Sequence, residues 1–187
     1  MIDRGEQVGR GTQRPPWRGH APIIPAKVRP GVEADLPQLV DLSVTVAAPT
    51  VDWDGALRGD LAATDRDLVV AEVAPALVGY ARTAVWAPDL PPELLRGDDA
   101  GGPCCLLVGL MVAPRSRRRG IGGGLVRAAQ AWAAERDATL WSVTEVDNVA
   151  SLALHRRCGL VPVTRRFRVP GLDSDGTHVL LRGEGRR

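Results

Sequence analysis

The sequence predicts an α/β domain built on one mixed sheet, and three observations carry that prediction. Short apolar runs rich in branched residues, bounded by Gly and Pro, alternate with segments of helical period. A chain of 187 residues, 44% hydrophobic and 25% charged, has the size and composition of a soluble domain with one core. The stretch 106–144 reads as strand, glycine-rich loop, helix and strand, an order that makes a parallel strand pair through a crossover. Hairpin signals elsewhere make the rest antiparallel. The expected fold is a mixed, mostly antiparallel twisted sheet of roughly six or seven strands with about four helices packed on it.

Each element has a local reason. Residues 1–25 show no periodicity and many turn formers, so they are expected to form a flexible tail ahead of a domain spanning 26–187. A short strand is expected at 24–29. Asp35 suits an N-cap, with Leu36 and Pro37 opening a helix that runs to about Val46 and stops before Pro49. Residues 52–61 read as a short helix or an irregular segment. Two strands, 68–73 and 77–86, meet across Ala74-Pro75-Ala76 as a hairpin. The loop 87–103 carries Asp89, Glu93, Asp98 and Asp99 and reads as a solvated segment. The run 106–112, between Pro103 and Pro114, suits a strand covered on both faces. Ile121, Leu125, Ala128 and Trp132 then share one face of a helix ending near Arg136. A strand at 140–144 follows, then a helix at 148–158 with Gly159 as its C′ residue. Strands at 161–168 and 178–182, joined by the turn-rich 171–176, close the sheet. No internal repeat is present. Trp53, Trp86 and Trp141 are expected in the core or in a pocket wall.

Charge and cysteine content narrow the function classes. A net charge of +2 gives no general attraction to nucleic acid. The three cysteines do not form a disulfide framework: Cys104 and Cys105 are adjacent in a strand and point to opposite faces, and Cys158 stands alone. A reducing, cytoplasmic setting is expected. The longest apolar stretch, 104–113, is too short to span a bilayer, and no apolar signal core opens the chain. No nucleic-acid or membrane partner is expected, and no metal ligands are assigned.

The chemistry concentrates in Arg117-Arg118-Arg119-Gly120-Ile121-Gly122-Gly123. A glycine-rich loop opening a helix leaves the first backbone N–H groups unpaired and pointing outward. Those donors, the positive end of the helix dipole and the adjacent arginines suit a polyanion such as a pyrophosphate. Without the glycines the same run would read as a solvated basic loop or a nucleic-acid patch.

These residues resemble a known family. Arg117 through Gly122 is similar to the Arg/Gln-x-x-Gly-x-Gly/Ala signature of the GCN5-related N-acetyltransferases. Gly109-Leu110-Met111-Val112-Ala113-Pro114 resembles that family's fourth strand. Asn148, Ser151, Leu154, His155 and Gly159-Leu160 resemble its Asn-x-x-Ala…Tyr…Gly-Phe stretch. Val28-Arg29-Pro30 and Ala34-Asp35-Leu36-Pro37 are similar to its opening. The resemblance covers roughly residues 24–181. It implies that the chain binds acetyl-CoA and acetylates an amine of a small-molecule or peptide acceptor, and that it forms a homodimer as family members often do. It further implies that Leu110, Met111 and Val112 meet the pantetheine arm along the strand edge. Arg117, Arg118, Arg119, Gly120, Ile121, Gly122 and Gly123 hold the pyrophosphate, Asn148 and His155 line the pantetheine and thiol side, and Ser151 joins the cofactor-binding set. His155 stands where the family carries a tyrosine, a candidate acid for the leaving thiolate; Ser151 replaces an alanine and Leu160 a phenylalanine.

Acetyl transfer needs a neutral amine, a donor for the oxyanion and a route for the amine's proton. Aligning the two reactants supplies much of the rate, so no enzyme nucleophile is required, and none of the cysteines is assigned that role. His155 is the candidate acid; Glu145 and Glu72 are candidate bases. His155 also fits a packed helix position, Glu145 a solvated site near a helix start, and Asn148 an N-cap. The resemblance also implies that the segments holding Asp52, Asp54 and the acidic loop flank the acceptor, where their carboxylates favour a cationic amine. Two other readings stay open: a non-catalytic acyl-CoA-binding module on the same fold, motivated by His155, and a nucleic-acid binder using the tail and the arginine loop.

Overall fold

The computed structural model describes residues 25–47, 51–91, 94 and 102–183. Residues 1–24 of the expected tail and the acidic residues Glu93, Asp98 and Asp99 lie outside the described residues. One sheet of seven strands organises the domain, in the order β1-β2-β3-β4-β5-β7-β6. The strands are β1 (Lys27–Pro30), β2 (Arg66–Val73), β3 (Ala76–Trp86), β4 (Cys104–Val112), β5 (Thr139–Glu145), β6 (Leu160–Val169) and β7 (Leu172–Gly183). The helices are α1 (Leu36–Val46), α2 (Trp53–Ala62), α3 (Ile121–Ala134) and α4 (Val149–Arg157). Only β4 and β5 pair in parallel; every other neighbouring pair is antiparallel.

Burial follows the periods in the sequence. Leu36, Leu39, Leu42 and Ser43 bury one face of α1, and Ile121, Leu125, Val126, Ala129 and Ala133 bury one face of α3. Along β4 the alternation sends Cys105 and Leu107 to the side covered by α3, and Cys104 and Leu106 to the opposite side. The adjacent cysteines therefore sit in different halves of the core, both free and buried. Burial pushes the Cys105 thiol up to about 11, which leaves it protonated and unreactive at neutral pH. On the far side α1 and α2 cover Val70, Leu77 and Tyr80. Trp86 and Trp141 meet edge to face there, with ring centroids 5.8 Å apart.

Two sequence expectations are corrected and one open reading is decided. Asp35 does not cap α1: its backbone is already helical and its carboxylate makes no cap bond to that helix. It accepts from the Val32 N–H at 2.9 Å and from the Arg29 guanidinium at 2.7 and 2.9 Å, so it closes the short 3-10 turn before α1. Residues 171–176 are not a long turn: β7 starts at Leu172, directly after Pro170-Gly171, where Gly171 has φ +80°. Polar residues in this part of β7 reflect a half-solvated hairpin rather than a loop. Residues 52–61, left open between two forms, make the α2 helix, because the Asp52 carboxylate accepts the Gly55 N–H at 3.0 Å and caps it.

Candidate functional site

The sheet opens in its middle. Parallel pairing of β4 with β5 runs from Cys104–Thr139 to Leu107–Ser142 and stops. The cause is local: the β3–β4 register shifts between Arg82 and Thr83, so Val108 is an extra residue on β4. A bulge bends its strand and ends pairing on the far edge. Beyond it, the Ala113 N–H donates to the Val78 carbonyl at 2.9 Å on the β3 side. Strand alternation therefore turns the main-chain groups of Leu110 and Val112 toward the gap and those of Met111 toward β3. The Val112 carbonyl accepts from Arg117 Nε at 3.2 Å. The Met111 side chain lies on the α1 face, its Sδ 3.0 Å from the Tyr80 hydroxyl.

At the mouth of this gap lies the arginine–glycine loop. Arg118 has φ +59° and Gly120 φ +85°, both in the left-handed region. Such turns line up successive N–H groups on one side of the chain. The first bond of α3 is Gly124 N–H to the Gly120 carbonyl, 3.1 Å. Among the described residues, the N–H groups from Arg118 to Gly123 have no hydrogen-bond partner. Arg117, Arg118 and Gly120 are exposed; Ile121 alone of this stretch is buried, as the first core residue of α3. The loop thus has the donors and the access that a diphosphate requires.

Gly122 has a packing reason to be glycine. A β-carbon there would come within 2.9 Å of Leu154 Cδ2, so Gly122 lets α3 and α4 approach closely. Gly79, unremarked in the sequence, faces a stricter limit: a β-carbon would meet the Met111 carbonyl oxygen at 2.7 Å.

The α4 residues form a chain of contacts. The Asn148 side chain accepts the Ser151 N–H at 3.0 Å and caps the helix. His155 is buried, with Nδ1 2.8 Å from the Ser151 carbonyl and 3.2 Å from Ser151 Oγ. Its Nε2 lies 2.9 Å from Ser142 Oγ. Burial lowers the imidazole below its usual value, so the ring is neutral near pH 7. Glu145, at the exposed end of β5, shares by alternation the sheet face of Trp141 and Val143, opposite Ser142. Glu72 is not near the gap: it pairs with Arg29 at 2.8 Å on the β1–β2 side. On the α1–α2 face, Arg82 stands opposite Gly109 beside the bulge. It pairs with the buried Asp60, which also holds Arg66 at 2.8 Å, and its guanidinium lies 6.0 Å from the Trp53 ring.

Sequence reasoning missed Ser142, Asp60 and Arg82. The one signal for Ser142 was a hydroxyl at an inward position of β5, between Leu140 and Thr144. Asp60 and Arg82 gave none, since their partnership depends on how α2 lies on the sheet. No group of three or more metal-ligating side chains occurs among the described residues, and no described helix is long and apolar enough to cross a membrane.

Both the sequence and the fold of this chain have matches among known proteins. The sequence model of the Acetyltransferase (GNAT) family matches residues 41–160. The chain belongs to the acetyltransferase (GNAT) family. Within this family it is similar to the aminoglycoside N(6')-acetyltransferase type 1 of Klebsiella aerogenes, at 40% identity over 72 residues. That match covers 37% of this chain and 47% of the relative, about half of its length. The fold is similar to that of a ribosomal-protein-alanine N-acetyltransferase from Brucella melitensis: 25% identity, TM-score 0.60, covering 83% of this chain and 98% of the other. It is also similar to Arabidopsis thaliana NAA60 in complex with acetyl-CoA: 17% identity, TM-score 0.66, covering 84% and 97%.

Proposed function

We propose that the protein is an acetyl-CoA-dependent N-acetyltransferase that moves the acetyl group directly to a primary amine. The observation that supports this reading is the set of unpartnered amides from Arg118 to Gly123, beside the open edge of β4. Arg117, Arg118, Arg119, Gly120, Ile121, Gly122 and Gly123 would hold the diphosphate through main-chain donors and positive charge. Leu110 and Val112 would extend the sheet by pairing with the amides of the pantetheine arm. Arg117 Nε then leaves the Val112 carbonyl to the ligand and turns to the phosphates. Met111 serves from behind, packing that edge against Tyr80. Asn148 and Ser151 order the start of α4, beside the thiol end.

A main-chain N–H on the open edge of β4 is positioned to stabilise the oxyanion. Glu145, exposed on the α1–α2 face, takes a proton from an arriving ammonium group and leaves the neutral amine that attack requires. His155, on the opposite face, serves the sulfur. The acidic residues Asp52 and Asp54 favour a cationic acceptor at the α1–α2 end. Relatives include an aminoglycoside N(6')-acetyltransferase and a ribosomal-protein-alanine N-acetyltransferase, so both acceptor classes belong in the test.

Calorimetry with acetyl-CoA and CoA measures the cofactor claim, and complete absence of binding by folded protein rejects it. Thiol release with aminoglycosides and alanine-terminated peptides measures transfer. Tight CoA binding without turnover of any amine would favour an acyl-CoA-binding module instead.

A further inference from the structure

We propose that Ser142 and His155 form a proton relay on the sulfur side of the β4/β5 gap. The inference rests on the acyl-transfer reading above. Ser142 closes the last β4–β5 rung, opposite Leu107, and the next β4 residue is the bulged Val108. Ser142 therefore sits at the rung where the two strands part, with its side chain on the α3–α4 face. Ser142 and His155 are only 1% and 2% exposed, on a face otherwise built from residues such as Leu140, Leu154, Leu160 and Leu181. A hydrogen-bonded polar pair in such a place adds little net stability over two apolar side chains of the same shape, so packing does not account for it.

The contacts fix the direction of every hydrogen. The Ser151 carbonyl only accepts, so the His155 Nδ1 that lies 2.8 Å away carries the ring hydrogen. In the neutral ring Nε2 is then an acceptor, and the Ser142 hydroxyl donates to it across 2.9 Å. A nucleophilic oxygen, a base and a group that orients the base stand in line. The remaining Ser142 lone pairs accept a further hydrogen. Burial and the Ser151 carbonyl set the ring's titration, and no charged side chain contributes to it.

Proton balance through this pair is complete. Attack of the neutral amine forms the C–N bond and leaves a positive nitrogen. That nitrogen passes a proton to Ser142 Oγ as the serine's own proton moves to His155 Nε2. When the C–S bond breaks, the imidazolium returns a proton to Ser142 Oγ and the hydroxyl proton goes to sulfur. One proton enters, one leaves, and the pair is restored. Because burial disfavours the imidazolium, it gives the proton back readily.

The test is a nitrogen-15 NMR titration of the histidine rings in the intact protein, free, with CoA, and with desulfo-CoA, which lacks the thiol. The chain has three histidines, and a His155→Gln sample assigns the signal. The relay predicts that CoA displaces the His155 titration midpoint and desulfo-CoA leaves it near the free value. It also predicts that Ser142→Ala removes the difference between the two ligands. Equal midpoints with both ligands bound overturn the relay, and this comparison needs only the wild-type chain if Ser142→Ala does not fold. Failure of either ligand to bind overturns the acyl-transfer reading and the relay with it.

Discussion

Single residues carry the proposed anion site and the acid limb of stability. Gly120 holds φ +85° immediately before α3. A β-carbon in that region costs about 1–2 kcal/mol, and a carboxylate there also repels a diphosphate. Gly120→Glu should weaken CoA binding by more than about tenfold, read by calorimetry, with Gly120→Ala intermediate. Asp35 gives a pH signature. The Arg29 guanidinium holds its carboxyl below the usual carboxylate range, with the Val32 N–H helping and burial opposing. A lowered folded value adds stability above the unfolded value, near 4, and that stability is lost as pH falls through the folded value. Asp35→Asn should therefore destabilise the protein at pH 7 and flatten the loss as pH falls below about 4, followed by urea melts. His155 acts with the same sign through burial: its folded value is lowered, so stability is full above about pH 6.5 and erodes below it.

Elements depend on a few close contacts. The edge of β4 is set by its packing on β3, where Gly79 allows the Met111 carbonyl to approach. Backbone oxygen yields little, so Gly79→Ala should cost about 1–3 kcal/mol and also reduce CoA affinity by moving the open edge. A loss of stability with unchanged affinity would separate β4 from the site. At Gly122 the obstructing atom is the end of the flexible Leu154 side chain. The helix-propensity gain of about 1 kcal/mol for Ala over Gly therefore offsets much of the contact penalty there. The attachment of α2 rests on Asp60, whose carboxylate is 2% exposed between Arg66 and Arg82. Asp60→Ala leaves Arg82, 14% exposed, without its partner. Removing one member of a buried pair costs about 3–5 kcal/mol, and the solvated Arg66 places this case at the lower end. Chemical denaturation measures it, and a change under 1 kcal/mol would show that solvent replaces the carboxylate.

At the scale of the whole molecule, one sheet separates two chemistries. The α3–α4 face brings the amide cradle and the Ser142–His155 pair together; the α1–α2 face carries Glu145, Arg82 and Trp53. The gap beyond Leu107 connects them. A ligand bound only by the folded state stabilises it by about 2.7 kcal/mol at a hundred times its dissociation constant. For a chain of this size that raises the melting temperature by roughly 5–10 °C. Saturating CoA should produce such a shift in the wild type and little in Gly120→Glu.

Much of this was written locally. The period of apolar residues places α1, α3 and most strands, because each element buries the face its own sequence supplies. The glycine at 120 and the unpaired start of α3 are also local, since a helix always leaves its first amides without partners. The Asn148 cap was visible for the same reason. The length of β7 was not, because its half-solvated residues look like a turn until β6 and β5 pair with them. Nor was the role of Glu72, since Arg29 reaches it only across paired strands. The bulge at Val108, the joining of Ser142 to His155 and the triad of Asp60 with two arginines were decided by tertiary structure alone. Each depends on register or on helix placement between residues distant in the chain, and no local propensity encodes that.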